Sequence, residues 1–314
     1  MLIIGFLMLI LGADLLVKGS SKIANKFHIP EILIGLTIVA LGTSMPELVI
    51  TISSVSQNAT DLIMGNAIGS NLCNLLLILG IIAILRPIKI DKETTWIHLP
   101  VALFSSIIVL LLGIGILGSP NNMINRTDGI ILVTSYLLYF LYPIIIEIKD
   151  IKNSVKENKE KHIKTQSTLL SIFFIILGIV ALKAGGDLVV NEATQIAIKY
   201  GISESVIGLT IVAVGTALPE LITSIIAVIK KEGDLAVGNL VGSCILNTFL
   251  IIGAGAIITP LAFSNEFIYD LALLIFSIIL IWGFCFIGEK KTITRYKAIL
   301  LLIIYLIYLV NLFR

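Results

Sequence analysis

The sequence predicts an all-α polytopic membrane protein of ten transmembrane helices, arranged as two inverted five-helix repeats with broken second and seventh helices. Three observations carry that expectation. Hydrophobic residues make up 57% of the 314 residues and charged residues 13%, with a mean hydropathy of +1.07; a soluble surface needs far more charge. Apolar windows near twenty residues recur ten times. The chain also repeats itself: Gly35 to Glu47 read GLTIVALGTSMPE and Gly208 to Glu220 read GLTIVAVGTALPE. Each copy is followed by a second matching block, DLIMGNAIGSNLCN at Asp61 to Asn74 and DLAVGNLVGSCILN at Asp234 to Asn247. The offset is a constant 173 residues, from Asp14/Asp187 through Asn74/Asn247.

The ten windows fall at roughly 2–18, 31–56, 62–85, 97–118, 127–147, 167–185, 204–228, 235–258, 267–288 and 296–313. The first is read as a retained helix: its nearby Lys18 follows the apolar run instead of preceding it, unlike a signal peptide. The longest polar interruption, EIKDIKNSVKENKEKHIKT from Glu147 to Thr165, separates the two copies. This gives a first repeat over 1–147, a solvated cytoplasmic linker over 148–166 and a second repeat over 167–314.

Basic residues set the orientation. With the central loop in the cytoplasm, that side collects Lys18, Lys22, Lys26, Arg86, Lys89, Lys92, the six loop lysines, Lys230, Lys231, Lys290, Lys291, Arg295 and Lys297. The other side keeps Arg126, Lys199 and Arg314, with Lys183 in or near a span. The positive-inside rule then places both termini outside the cell membrane. Five spans per repeat is an odd number, so the second copy enters upside down. A pseudo-twofold axis in the membrane plane brings the two motifs together near the midplane.

Pro46 cannot donate to the carbonyl near Gly42, and Pro219 repeats the defect near Gly215. Carbonyls around Ala40 to Thr43 and Ala213 to Thr216 are expected to be freed, which is tolerated at membrane depth only inside protein or beside a cavity. Glu47 and Glu220 follow the prolines. A charged carboxylate at a helix centre costs about 2.5–3.5 kcal/mol on insertion scales, so two brought together call for a compensating cation or proton. Thr43 and Thr216 lie one turn before the glutamates and share their faces. Asn66, Ser70 and Asn74, and again Asn239, Ser243 and Asn247, recur every fourth residue as polar stripes beside glycine pairs suited to close helix approach. Carboxylates, hydroxyls, amides and carbonyls without thiolate or imidazole make a hard-cation site, suited to calcium or sodium and poor for zinc or copper. Cys73, Cys244 and Cys285 lie in apolar segments at no metal-ligand spacing and imply no redox role. Asp14 and Asp187 match across the copies and read as interfacial structural residues.

At these blocks the chain resembles the sodium/calcium exchangers of the cation/calcium exchanger superfamily, and among them the prokaryotic-type calcium/sodium antiporters. The resemblance covers all ten spans. It implies a secondary antiporter exchanging sodium for calcium by alternating access, with calcium and sodium as the transported ions and no cofactor. By resemblance, Glu47 and Glu220 are the central calcium ligands, shared with sodium. Thr43, Ser44, Ser70, Thr216 and Ser243, with the carbonyls of Ala40 and Ala213, build the sodium sites, and Asn74 and Asn247 flank the middle. The partners implied are those ions and membrane lipid, with no nucleic acid and a monomer as the functional unit. Two positions depart from what relatives resemble one another in having: Ala217 stands where a serine is usual, and Asn247 where potassium-dependent relatives carry aspartate. The first removes the hydroxyl matching Ser44; the second argues against potassium co-transport. A proton-coupled calcium antiporter is the alternative. An intramembrane serine protease lacks a histidine deep in a span to activate Ser44, and a passive channel fits the inverted repeat poorly.

Overall fold

The protein, a computed structural model, is described over residues 1–27, 29–56, 59–117, 122–157, 168–200, 213–288 and 291–312. It is built from helices with four two-residue strands between them. Helix α1 spans Leu2–Phe27. A bent pair follows, α2 at Glu31–Thr43 and α3 at Met45–Ser56, then α4 at Thr60–Leu85 and α5 at Thr94–Gly113. Helix α6 runs Arg126–Glu157 and α7 Thr168–Lys199. The short α8, Ala213–Thr216, leads into α9, Leu218–Ile229. Helices α10 (Gly233–Ile258), α11 (Asn265–Phe284) and α12 (Arg295–Leu312) complete the described chain. Seven of the described helices are long and apolar enough to cross a membrane, eight if the bent pair is one span. Helix α6 overlaps the fifth expected span, while 204–212 of the seventh lie outside the described residues.

Helix ends differ from the expected span ends. Helix α1 continues to Phe27 and α7 to Lys199, nine and fourteen residues past their apolar windows at 18 and 185. A hydropathy window marks where apolar content stops, not where backbone hydrogen bonding stops. Lys18, Lys22 and Lys26 are good helix formers whose stems can lie along the apolar surface. Similarly, α6 continues through Glu157 into the stretch read as linker, and 158–167 lie outside the described residues.

Close approach fixes the packing. Helices α1 and α7 lie antiparallel along their length. A Cβ at Gly12 would stand 2.9 Å from the Gly178 carbonyl oxygen and one at Gly178 2.7 Å from that of Gly12; Gly5 and Gly185 stand in the same mutual relation, at 3.0 and 2.8 Å. In lipid, where apolar burial gives helices little reason to associate, such backbone proximity is the main source of contact energy. Helix α2 meets α10 in the same way, with Gly35 against the Leu235 carbonyl. Helices α4 and α10 form the buried centre, crossing where Asn71 bonds the Cys244 carbonyl.

The strands and caps pair equivalent positions. Strand β1, Ile88–Lys89, pairs with β4, Thr292–Ile293; β2, Met123–Ile124, pairs with β3, Leu261–Ala262. Ile88 faces Ile293 and Leu261 faces Ile124; an offset of 173 residues carries Ile88 onto Leu261 and one of 169 carries Ile124 onto Ile293, so the two ribbons match strand for strand. Arg126 Nε donates to the Ile257 carbonyl at 2.7 Å and Arg295 Nε to the Ile84 carbonyl at 3.1 Å. Each arginine covers an orphaned carbonyl at a helix C-terminus, where positive charge is favoured.

Candidate cation-binding site

The break between α2 and α3 bends the chain by 44°. Its pivot is Ser44, at φ −84° and ψ 12°. Ala217 takes nearly the same conformation, φ −86° and ψ 0°, between α8 and α9. Pro46 and Pro219 follow in the first turns of α3 and α9, where a missing N–H costs nothing. The next residues are Glu47 and Glu220, so both carboxylates sit at helix starts, where the backbone dipole favours negative charge. The break does not free every carbonyl expected of it. The Ala40 carbonyl accepts the Ser44 N–H at 3.0 Å, because the helix keeps its ladder up to the pivot; it retains only its second lone pair. Ala213 begins α8.

Both glutamates are buried, with at most 1% of their surface exposed. Ser70 Oγ donates to one Glu47 oxygen at 3.3 Å, and Ser44 Oγ donates to one Glu220 oxygen at 3.2 Å. The Ser44 and Ser243 hydroxyls are 3.1 Å apart and share a hydrogen bond. The second oxygen of each glutamate, the Asn247 side-chain oxygen and both polar atoms of Asn74 are buried without a protein partner. An unsatisfied buried polar group costs about 1–3 kcal/mol and a charged one more. Orphaned oxygens on two buried carboxylates, with unpartnered amide atoms on Asn74 and Asn247 one turn beyond Ser70 and Ser243, therefore call for a compensating cation or proton. Lysines do not supply it: Lys183 pairs with Asp187 at 2.7 Å, while Lys18 and Lys230 both pair with Asp14 at 2.6 Å. Among the described residues no group of three or more His, Cys, Asp or Glu side chains gathers. The donor set is two carboxylates supplemented by neutral oxygens, as a hard cation requires.

Beyond the glutamates, Thr43, Ser44, Ser70, Ser243, Asn74 and Asn247 are all buried. Thr43 turns to Asn239, donating to its side-chain oxygen at 3.0 Å, and lies 3.4 Å from the Ala40 carbonyl. Thr216 is half-buried in the wall of a cavity of about 250 Å³. Pro46, Lys183, Asp187, Asn191 and Pro219 also line that cavity.

Asn239 of the second stripe is engaged at both amide atoms: its oxygen accepts from Thr43 and its nitrogen donates to Ser224 at 3.4 Å, so it props α2 and α9 and its oxygen retains one lone pair. Sequence reasoning missed Asn71, Thr248 and Ser224, and it missed the π-helical turns at Cys73–Ile78 and Asn247–Ile251. Such turns cluster at functional sites; here they contain Asn74 and Asn247. Asn71 had one visible signal: it stands inside the repeated block where the other copy has Cys244.

A multi-pass helical protein with two glutamates buried at paired helix breaks has the build of a membrane cation antiporter. The chain belongs to the sodium/calcium exchanger protein family, whose profile matches residues 1–145 and 170–314. It is 34% identical to the inner membrane protein YrbG of Escherichia coli over 90% of this chain and 88% of that protein. It is 30% identical to the sodium/calcium exchanger MaX1 of Methanosarcina acetivorans, covering 99% and 97%. The solved structure of the sodium-calcium exchanger NCX_Mj, soaked with zero Na+ and Ca2+, superposes with a TM-score of 0.83 at 31% identity, covering 99% of this chain and 97% of that one.

Proposed function

We propose that this protein exchanges sodium for calcium across the cell membrane by alternating access, the two ions competing for Glu47 and Glu220. The observation that carries the reading is the pair of buried carboxylates, each with one orphaned oxygen and no basic partner among the described residues. One calcium offsets both negative charges, and sodium ions replace it using Ser44, Ser70, Ser243, Thr43 and Thr216 with the carbonyls of Ala40 and Ala213. Asn74 and Asn247 complete the middle. Occupancy by one ion excludes the other, which is the condition for coupled exchange.

The path to the site rests on ten helices in two inverted repeats, 1–147 and 167–314. Equivalent strand pairing, mutual glycine contacts and equivalent arginine caps support that arrangement. The cavity beside Thr216 adjoins both prolines that precede the glutamates. Its Asp187 lies about 28 Å along α7 from the start of that helix, at 1.5 Å per residue. With the central connection in the cytoplasm and both termini outside, the cavity opens outward. At the opposite end Lys230, the residue that caps the C-terminus of α9, clamps Asp14 of α1. This is an outward-facing arrangement. The unit is a monomer in lipid, with no cofactor and no nucleic-acid partner. Ser44 contacts Glu220 and Ser243, a binding arrangement and not a nucleophile–base pair.

Ala217 favours a second reading, because it withdraws one hydroxyl from the Glu47 side. Proton coupling would need fewer oxygens, with the glutamates releasing protons in place of sodium. Radioactive calcium uptake into proteoliposomes decides between them. Uptake into sodium-loaded vesicles, absent from potassium-loaded ones, is the expected result. Uptake driven by a pH gradient without sodium would transfer the coupling to protons.

A further inference from the structure

One side chain outside the ligand set controls what the site presents. Asn71 lies on α4 where it crosses α10, and it is buried. Its nitrogen donates to the Cys244 carbonyl at 3.2 Å and to Thr248 Oγ1 at 2.8 Å. Neither contact tolerates an amide flip. A carbonyl cannot donate, and the single Thr248 hydroxyl proton is already given to the Cys244 carbonyl at 2.8 Å. The Asn71 oxygen is therefore held toward α10, where it accepts from the Asn247 nitrogen at 3.1 Å. An amide whose nitrogen is engaged turns its oxygen the other way. The Asn247 oxygen is indeed buried without a protein partner. It sits one helical turn beyond Ser243, which contacts Ser44 and through it Glu220.

The other copy has no such chain of donors. The residue matching Asn71 is Cys244, whose thiol donates to the Asn71 backbone carbonyl. The residue matching Thr248 is Leu75. Asn74, the match of Asn247, has both its nitrogen and its oxygen unpartnered.

We propose that Asn71 is a positioning residue that locks Asn247 as an oxygen-presenting ligand for the transported cation, a lock that Asn74 lacks. Resting on the antiporter reading above, the proposal adds how one neutral ligand acquires its polarity. An amide nitrogen cannot ligate a cation. Released from Asn71, Asn247 turns its oxygen to the site only part of the time, and a presented fraction of about one tenth raises the apparent dissociation constant about tenfold. With the lock, no selection is needed.

A double-mutant cycle tests this. Calcium affinity of the purified full chain in sodium-free detergent buffer is measured by titration calorimetry for wild type, Asn71→Ala, Asn247→Ala and the double variant. Asn71→Ala is expected to weaken calcium about tenfold and Asn247→Ala by a similar factor. The double variant should be no weaker than Asn247→Ala within about twofold, since Asn71 then has nothing left to orient. In proteoliposomes Asn71→Ala should raise the half-saturating calcium concentration and leave the maximal exchange rate within about twofold. Independent factors that multiply to about a hundredfold, or a lower maximal rate at unchanged affinity, would make Asn71 a packing residue and overturn the proposal. If Asn71→Ala does not fold, Thr248→Val keeps the shape and removes one anchor. It should weaken calcium about threefold, with no further loss in the Asn247→Ala background, and multiplying effects would again overturn the proposal. Wild type that binds no calcium in this buffer would instead remove the antiporter reading itself.

Discussion

Glu220 and Glu47 occupy equivalent places at equivalent helix breaks, yet their surroundings differ by one oxygen. Glu220 accepts from Ser44, which also meets Ser243. Glu47 accepts from Ser70, and the position matching Ser44 is the buried methyl of Ala217. A second difference runs the same way: Asn247 is held by Asn71, whereas the residue matching Asn71 for the Asn74 side is Cys244 and both polar atoms of Asn74 lack a protein partner. The pivot dihedrals at Ser44 and Ala217 remain nearly identical. Backbone geometry thus survives where the ligands have diverged, because proline and glycine enforce it without help from the side chain at the pivot.

The largest effects should come from the charges common to both halves. Glu47→Gln and Glu220→Gln are each expected to reduce calcium exchange at least about a hundredfold in proteoliposomes, with the protein still inserted and monodisperse. Such a loss corresponds to roughly 2.7 kcal/mol or more, in line with removing a buried charge from its counter-ion. Retained transport in either variant would detach the carboxylates from the ion path.

Next come the oxygens that distinguish the halves. Ser44→Ala makes the Glu220 side resemble the Glu47 side. A hydrogen bond to a charged group contributes about 1.5–3 kcal/mol, so the half-saturating sodium concentration should rise about tenfold. Ala217→Ser restores the missing hydroxyl opposite Glu47 and should lower that concentration by about threefold, a smaller effect because the site already functions without it. Sodium dependence is read from calcium uptake at graded internal sodium. If Ala217→Ser leaves sodium dependence unchanged, the second half does not use that hydroxyl position, and the asymmetry is confined to Asn71.

The repeat, the helix breaks and the paired carboxylates were legible in the sequence because each rests on local chemistry. Pro46 and Pro219 cannot stand in a helix interior and so mark a helix start, and a glutamate in an apolar run needs a partner wherever it lies. The ends of α1 and α7 were not legible, since hydropathy stops at Lys18 while the helical backbone continues through Lys26. Nor were the roles of Asn239 and Asn71. Asn239 sits in the same polar block as Asn247 and Asn71 in the matching block of the other copy, and only the crossing of α4 with α10 and the approach of α2 decide which amide is engaged and which oxygen is free. The π-helical turns at Cys73–Ile78 and Asn247–Ile251 were hidden for a similar reason: an inserted residue leaves the composition of an apolar helix unchanged while rotating every side chain after it.

The same contrast between matched positions recurs at the two ends of the α1–α7 pair, where the smallest effect is expected. Asp187 is held by Lys183 of its own helix beside the open cavity. Asp14 is held by Lys18 of its own helix and by Lys230 at the C-terminal cap of α9. Lys230 also donates to the Asp14 backbone carbonyl at 3.1 Å, so this clamp joins two elements that must separate if that end is to open. Partly exposed ion pairs contribute about 0.2–1 kcal/mol, and 1 kcal/mol shifts a two-state equilibrium about fivefold. On the outward-facing arrangement proposed above, Lys230→Met should therefore move the population away from that state by a few-fold, without stopping exchange. Asn191→Cys, at the exposed cavity wall, reports this through its rate of reaction with an impermeant thiol reagent, the native cysteines being buried. Labelling about twofold to fivefold slower in the Lys230→Met background is the expected outcome. An unchanged rate would mean that the α1–α7 pair is balanced by its glycine contacts alone, and that the extra lysine at Asp14 does not distinguish one end from the other.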